Sequence, residues 1–207
     1  MRLFLLVLAF TFVAARPASA LEPLDWTPDA AERAALDRGR TILEVRPDPA
    51  GASGVIHAAI DLAAPPQAVW RALTDCELAP RMASALKSCR VLERDPLGRW
   101  DVREHVSRPM LFLPSVRNVF RTDYEAPWGF DFHRTGGDLK VFEGGWRLVP
   151  LAGGRATRAI YEGRASAPFA MPRALARAAL RQQVSAAIAA LKRECLALAE
   201  GTAKPGE

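Results

Sequence analysis

The sequence predicts an α+β fold in which a curved, seven-stranded antiparallel sheet wraps around one long C-terminal helix. Six consecutive segments between residues 89 and 167 alternate apolar and polar side chains, and turn residues separate them. A seventh strand candidate precedes them at residues 55–63, and helical periodicity follows Pro172 to about Glu200. A helix is only about 10 Å wide, so a sheet of this size must curl to be covered by it.

The first twenty residues are typical of a signal peptide. Arg2 precedes an apolar run at residues 3–15, and Ala18 and Ala20 form a small-x-small cleavage site. The run is shorter than the roughly 20 residues that a membrane-spanning helix needs. We therefore expect cleavage after Ala20, export to the periplasm and, because no cysteine follows the cut, no lipid anchor.

The rest of the chain is long enough for one domain with a sizeable core. We expect a helix, strand and linker at residues 21–52, the main domain at 53–200 and a disordered tail at 201–207. The formal net charge is +5, which falls to +3 without Arg2 and Arg16, and the remaining arginines are scattered. A nucleic-acid partner is therefore not expected, and we expect a monomer.

The N-terminal elements are predicted from caps and breakers. Residues 27–38 predict a short helix with Thr27 as its N-cap and Pro28 at its first position. A strand is predicted at residues 41–45, followed by a loop at 47–54. After the strand at 55–63, two short helices are predicted at 67–74 and 78–86.

The six later strands are separated by breaks short enough for hairpins, which predicts an antiparallel meander. Their predicted ranges are residues 89–94, 100–107, 116–125, 128–134, 139–149 and 157–167.

Alternation along these strands predicts one apolar inner face and one charged outer face. The residues assigned to the inner face include Trp100, Val102, Val106, Phe120, Tyr124, Phe130, Phe132, Phe142 and Trp146. The residues assigned to the outer face include Asp101, Arg103, His105, Arg117, Arg121, Asp123, Asp131 and His133, and His57 is expected outside as well.

Glu104 is in register with Trp100 and Val102, so alternation places its carboxylate on the inner face. There, burial would raise its pKa, and it could bind a ligand hydroxyl or act as a general acid. The alternative is a bulge at the end of the strand that turns Glu104 outward.

The C-terminal helix carries one apolar stripe and many alanines. The stripe consists of Leu180, Val184, Ile188, Leu191, Cys195 and Leu198. Small residues opposite large aromatic ones can leave a cavity, and they can equally permit close packing of helix on sheet. The same helix begins with Arg173, Arg177 and Arg181, which predict a solvated face or a contact with acidic headgroups.

Two further features are local. Cys76 ends a helical segment and Cys89 begins a strand, so we predict a disulfide between them; metal binding is the alternative, although the spacing offers no CxxC pair. Cys195 is expected to be a small core residue.

The apolar loop that contains Met110, Leu111, Phe112 and Leu113 predicts a lid, a transient membrane contact or a hairpin folded against the core.

Three motifs carry a family resemblance. They are IDLAAPPQAVWRALTD at residues 60–75, KSCRVLE at 87–93 and FEGGWRL at 142–148. The motifs and the order of elements resemble the START-like (SRPBCC, helix-grip) superfamily, in its polyketide cyclase/dehydrase and coenzyme Q-binding branch. The resemblance covers roughly residues 53–198. It implies a cavity between sheet and long helix that holds an apolar ligand, such as a lipid, quinone, sterol or polyketide.

The sequence therefore predicts a periplasmic binding or carrier protein for a hydrophobic small molecule. The cavity residues we expect are Trp100, Glu104, Phe120, Phe130, Phe132, Phe142, Trp146, Tyr161, Ala179 and Gln182. Two alternatives stay open: a pocket enzyme of cyclase, aromatase or dehydratase type, and a protein-interaction module without a ligand. The sequence contains no nucleophile elbow, phosphate loop or metal-binding motif, so no catalytic residue, metal or cofactor is assigned.

Overall fold

A computed structural model describes residues 24–108, 114–166, 169 and 171–203 of the chain. The predicted signal peptide, the loop residues Met110 to Leu113 and residues 204–207 lie outside this range. The helices are α1 (Ala30–Leu36), α2 (Pro66–Thr74), α3 (Ala79–Met82) and α4 (Arg173–Ala203). The strands are β1 (Ile42–Arg46), β2 (Gly54–Leu62), β3 (Leu86–Arg94), β4 (Trp100–Ser107), β5 (Val116–Glu125), β6 (Gly129–Gly137), β7 (Phe142–Leu151) and β8 (Ala156–Ala165).

All eight strands form one antiparallel sheet in the order β1-β2-β8-β7-β6-β5-β4-β3. The predicted α+β class, with its antiparallel sheet and long C-terminal helix, is confirmed. The sheet has eight strands rather than seven because β1 pairs with β2, with Ile42 opposite Ala59 and Arg46 opposite Val55. β1 thereby covers an edge of β2 that would otherwise present unpaired backbone groups.

Helix α3 is shorter than predicted, and β3 is longer. The helix ends at Met82, and Leu86 already pairs with Ser107 of β4. The Arg108 N–H also donates to the Ala85 carbonyl at 2.7 Å. Pairing with β4 therefore overrides the helical preference of residues 83–86.

Helix α1 begins at Ala30, not at Pro28. Asp29 is its N-cap: its carboxylate accepts from the Glu32 N–H at 2.8 Å, and the Glu32 carboxylate accepts from the Asp29 N–H at 2.9 Å. This reciprocal capping box satisfies two backbone donors, which a cap at Thr27 would not do.

The main core lies between α4 and the first strands of the sheet. Ile188, Leu191 and Cys195 of α4 are buried against a cluster that includes Ile60 and Leu62 of β2. The predicted stripe and the buried position of Cys195 are confirmed. The helix continues through Ala203, so the first three residues of the predicted tail are helical. No helix in the described part of the chain is both long and apolar enough to cross a membrane.

The N-terminal segment packs on the opposite, outer face of the sheet. Trp26 stacks on His57 with ring centroids 4.9 Å apart, and Leu36 packs with Ile160. The guanidinium of Arg158 in β8 donates to Asp61 of β2 and to Asp37 after α1. The N-terminal segment thus covers the outer face near β2 and β8, and the opposite face of the sheet faces α4.

Candidate functional site

A cavity of about 300 Å³ lies between the inner face of the sheet, α4 and the segment around α3. Its lining is mostly aliphatic and aromatic, with a few polar side chains. The described lining residues are Leu73, Thr74, Ala79, Met82, Ala83, Leu86, Arg103, His105, Ser107, Phe120, Thr122, Tyr124, Phe130, Phe132, Phe142, Trp146, Tyr161, Val184, Ala187, Ile188 and Leu191.

Aromatic rings of four strands form one wall. The Phe142 ring lies 5.1 Å from Phe120 and 4.8 Å from Phe132, and the Trp146 and Tyr161 rings lie 4.7 Å apart, centroid to centroid. Such edge and tilted contacts fix ring positions beyond what burial alone does. The wall is therefore formed by side chains that already pack on one another.

Gly163 makes room for part of this wall. A Cβ atom at this position would lie 2.3 Å from the hydroxyl oxygen of Tyr161, which is two residues earlier on the same face of β8. The Tyr161 side chain consequently lies over the glycine, and burial raises the pKa of its hydroxyl.

The disulfide between Cys76 and Cys89 is confirmed, with Cα atoms 5.3 Å apart. It joins the connection between α2 and α3 to strand β3. Ala79 and Met82 of α3 line the cavity, so the covalent bond holds one side of the cavity against the sheet.

The inner face of β4 is the opposite of the predicted one. Arg103 pairs with Phe120 of β5, and His105 pairs with Asn118. Directly opposed residues of an antiparallel pair point to the same face, so Arg103 and His105 face the cavity with Phe120. The prediction was wrong because the inner face of β4 is the polar one: it carries Asp101, Arg103, His105 and Ser107, whereas Trp100, Val102 and Val106 lie on the outer face. Only the pairing with β5 reveals this orientation.

Glu104 accordingly lies on the outer face. Its carboxylate pairs with Arg90 at 2.7 Å and with Arg117. The Arg117 guanidinium, followed by that of Arg90, holds the pKa of Glu104 below its usual range. The carboxylate therefore stays ionised outside the cavity, and the hypothesis of an inner-face general acid is wrong.

Trp100 also lies outside the cavity. The Arg121 guanidinium carbon is 4.2 Å from the centroid of the Trp100 ring, and Arg121 in turn donates to Asp123 on the same strand. This cation–π contact covers the indole on the outer face.

The cavity wall contains a buried ion pair. Arg103 Nε donates to both carboxylate oxygens of Asp101 at 2.9 and 3.0 Å, and Nη2 donates to Oδ2 at 3.0 Å. Asp101 is 1% and Arg103 8% exposed. The guanidinium carbon also lies 5.7 Å from the centroid of the Tyr124 ring. Because the two charges neutralise one another, this corner of the cavity is polar without a net charge.

His105 extends the polar corner. Its Nε2 is buried and has no hydrogen-bond partner among the described residues, and the same is true of Asn118 Oδ1. Burial, together with the positive charge of Arg103, lowers the pKa of His105 to about 4, so the ring is neutral at pH 7. Unpaired buried polar atoms are costly, and a bound hydroxyl or water could pair with His105 Nε2. A bound carbonyl could accept from this nitrogen when the neutral ring carries its proton there.

A second depression of about 560 Å³ adjoins this corner, between α2 and strands β3 and β4. It shares Thr74 and Arg103 with the cavity and is otherwise lined by groups such as Arg71, Glu77 and Arg94. Arg103 therefore lies between an apolar cavity and a polar outer groove.

Six of the ten predicted cavity residues line the cavity. They are Phe120, Phe130, Phe132, Phe142, Trp146 and Tyr161. Trp100 and Glu104 face outward, and Ala179 and Gln182 lie before Val184, where the contribution of α4 begins. The polar residues Arg103, His105, Ser107 and Thr122 were missed. Thr122 shares the inner face of β5 with Phe120 and Tyr124. Extending this face across the hairpin to β4 identifies Arg103, His105 and Ser107.

Comparison with protein families gives one match over most of the chain. Residues 62–192 match the family described as polyketide cyclase / dehydrase and lipid transport. The chain belongs to this family. A search of curated protein sequences finds no match.

Several solved structures are similar to this chain in fold. A START superfamily protein from Mycobacterium smegmatis is 18% identical with a TM-score of 0.60, covering 70% of this chain and 98% of that one. The Zhui aromatase/cyclase from Streptomyces sp. R1128 is 15% identical with a TM-score of 0.57, covering 72% and 95%. A STAR-related lipid transfer protein from Xanthomonas axonopodis is 16% identical with a TM-score of 0.62, covering 75% and 93%. The START-like fold implied by the sequence motifs is confirmed.

Proposed function

We propose that this protein is exported to the periplasm and binds a hydrophobic small molecule in the cavity under α4, as a carrier or sensor. The observation that carries the proposal is the cavity itself, which has an aromatic wall on one side and a polar corner on the other. Ligand sites typically combine an apolar lining with a few placed polar groups. The lipid-transfer and aromatase/cyclase names of the structural neighbours support the same reading.

The size of the cavity favours a small ligand. A volume of about 300 Å³ is at the lower end of the range for small-molecule sites. It suits a ring-containing molecule or a single short chain, whereas a two-chain lipid would need the cavity to widen.

The polar corner favours a ligand whose polar end is uncharged. Asp101 already neutralises Arg103, so a ligand carboxylate or phosphate would bring an uncompensated negative charge beside a buried carboxylate. A carbonyl or hydroxyl could instead pair with an Arg103 N–H group that Asp101 does not engage and with His105 Nε2. We therefore propose a neutral amphiphile as the ligand class.

The alternative of a pocket enzyme depended on Glu104 as a general acid inside the cavity. Glu104 is held on the outer face by Arg90 and Arg117, away from the cavity. No further observation favours a catalytic function over binding.

Native mass spectrometry of gently purified protein tests the binding proposal. Ala187 lines the cavity, and Ala189 is exposed on the other side of α4. Ala187→Trp should fill the cavity and abolish a copurifying molecule, whereas the matched control Ala189→Trp should retain it. Circular dichroism checks that both variants fold. Equal retention by the two variants, or no bound molecule in the wild type, would contradict the proposal.

Export is tested separately. We expect N-terminal sequencing of protein from the periplasmic fraction to begin at Leu21, after the proposed cleavage site. Full-length protein confined to the cytoplasm would contradict export and would leave ligand binding untouched.

A further inference from the structure

The inward-facing stripe of α4 changes from apolar residues to arginines at the N-terminal end of the helix. Extended backwards from Leu180 by three and then four residues, the stripe reaches Arg177 and Arg173. From Ile188 onward the stripe is apolar and mostly buried, whereas Arg177 is half-buried and Arg173 is exposed. Arginines thus occupy helix positions that, further along, would hold core residues.

These arginines lie beyond the end of the sheet. A Cβ atom on Gly54, the first residue of β2, would lie 3.5 Å from Leu180 Cδ1, which places Leu180 at the sheet margin. The two turns before Leu180 span about 10 Å at 1.5 Å per residue. Ala176 in these turns is buried, so this end of the helix is seated on the protein and does not project freely.

The cavity reaches the same end of the sheet. Leu86 begins β3, Ser107 ends β4 and Phe142 begins β7, and all three line the cavity. α4 begins at this end, because Ala165 at the end of β8 precedes its first residue by only eight positions. The arginines and this part of the cavity lining therefore lie at the same end of the sheet.

The charge at this end of α4 is not balanced locally. The helix contains no acidic residue before Glu194. Among the described residues, no ion pair involves Arg173 or Arg177, whereas Arg181 is close enough to Glu44 to help lower the pKa of that carboxyl. Apolar side chains accompany the arginines: Leu175 is 59% and Met171 36% exposed. Accessible cations interspersed with exposed aliphatic groups are complementary to an anionic lipid surface.

We propose that the N-terminal end of α4, comprising Met171, Arg173, Leu175 and Arg177, docks on an anionic phospholipid bilayer. Arg173 and Arg177 contact lipid phosphates, and Leu175 and Met171 enter the interfacial region. Docking in this orientation brings the cavity end that contains Leu86 and Phe142 towards the bilayer.

Vesicle flotation with the mature protein tests this proposal. We expect binding to vesicles that contain phosphatidylglycerol, weak binding to phosphatidylcholine alone and a decrease as salt is added. Arg173→Gln with Arg177→Gln should weaken binding to the anionic vesicles by about 25-fold, at about fivefold per arginine. Leu175→Ser should weaken it further.

Lys192→Gln with Arg193→Gln is the matched control. It removes the same charge from exposed positions of the same helix, about 22 Å further along, which is beyond the screening length of about 8 Å. Its binding should change by less than about twofold. Equal losses in both double variants, or equal binding of the wild type to neutral vesicles, would overturn a localised docking site.

Native mass spectrometry of the Arg173→Gln, Arg177→Gln variant separates docking from ligand recognition. We expect it to retain the copurifying molecule as the wild type does. Loss of that molecule would assign the arginines to the ligand site instead and overturn the membrane proposal. Absence of any bound molecule from the wild type would count against the proposed function alone, because vesicle binding is measured independently of it.

Discussion

Asp101 and Arg103 form a charged pair in the cavity wall, and each side chain depends on the other. Removing only Arg103 leaves a carboxylate that is 1% exposed without its counter-ion. We expect Arg103→Met to lower the free energy of unfolding by about 3–5 kcal/mol, measured by urea denaturation.

The double variant Asp101→Asn, Arg103→Met provides the control. It removes both charges, so most of the lost stability should return. If Arg103→Met unfolds at the wild-type urea concentration, Asp101 does not depend on this partner.

His105 makes stability depend on pH. Burial lowers its pKa to about 4, below the value of about 6.5 expected in the unfolded chain. As pH falls from about 6.5 to about 4, the unfolded state takes up a proton that the folded state does not, so stability is lost in this window. Wild type should lose about 3 kcal/mol more than His105→Leu between pH 7 and pH 4 in urea denaturation. Parallel pH profiles for the two proteins would show that His105 titrates normally.

At the residue scale, the sequence predicted the aromatic wall but not the polar corner. Phe120, Phe132 and Trp146 lie on strands where one face is clearly more apolar, so alternation identified their orientation. β4 shows the opposite contrast, since the apolar Val102 and Val106 lie on its outer face and the charged Asp101 and Arg103 lie on its inner face. The rule that polar side chains face solvent fails here, as it often does where a protein binds something.

At the scale of elements, the disulfide holds α3 against β3. The two cysteines are 13 positions apart in the sequence. A crosslink that closes a loop of this length stabilises the folded state by roughly 3 kcal/mol, because it restricts the unfolded chain. We expect Cys76→Ser with Cys89→Ser to lower stability by about this amount in urea. A reducing agent should destabilise the wild type similarly but leave the double variant unchanged.

Thiol counting checks the same bond. The oxidised, unfolded wild type should have one free thiol, from Cys195, and Cys195→Ala should have none. Three free thiols in the wild type would refute the bond.

Most elements could be predicted from local patterns, and the errors in strand pairing share one cause. The stripe of α4 and the extent of β4 and β5 follow from periodicity along a single segment. The pairing of β1 with β2 and the early start of β3 at Leu86 depend on a partner strand, which a local pattern does not contain. Docking of residues 24–38 on the outer face depends on contacts such as Arg158 with Asp37 and could not be predicted for the same reason.

At the scale of the whole molecule, the sequence left open whether sheet and helix enclose a cavity or pack tightly. Small residues at Ala187 and Gly163 are compatible with both outcomes. The structure shows a cavity, which is lined by Val184, Ala187 and Leu191 of α4 and by rings of the sheet that pack on each other. Whether side chains fill this space depends on the relative positions of elements that are distant in the sequence.

The most direct test of the central claim is a crystal structure of the protein with its copurified molecule. We expect the apolar part of that molecule to contact Phe120, Phe132 and Trp146, and an uncharged oxygen to lie about 3 Å from Arg103 or from Nε2 of His105. A cavity occupied only by water or side chains, or a carboxylate or phosphate placed beside Asp101, would contradict the account.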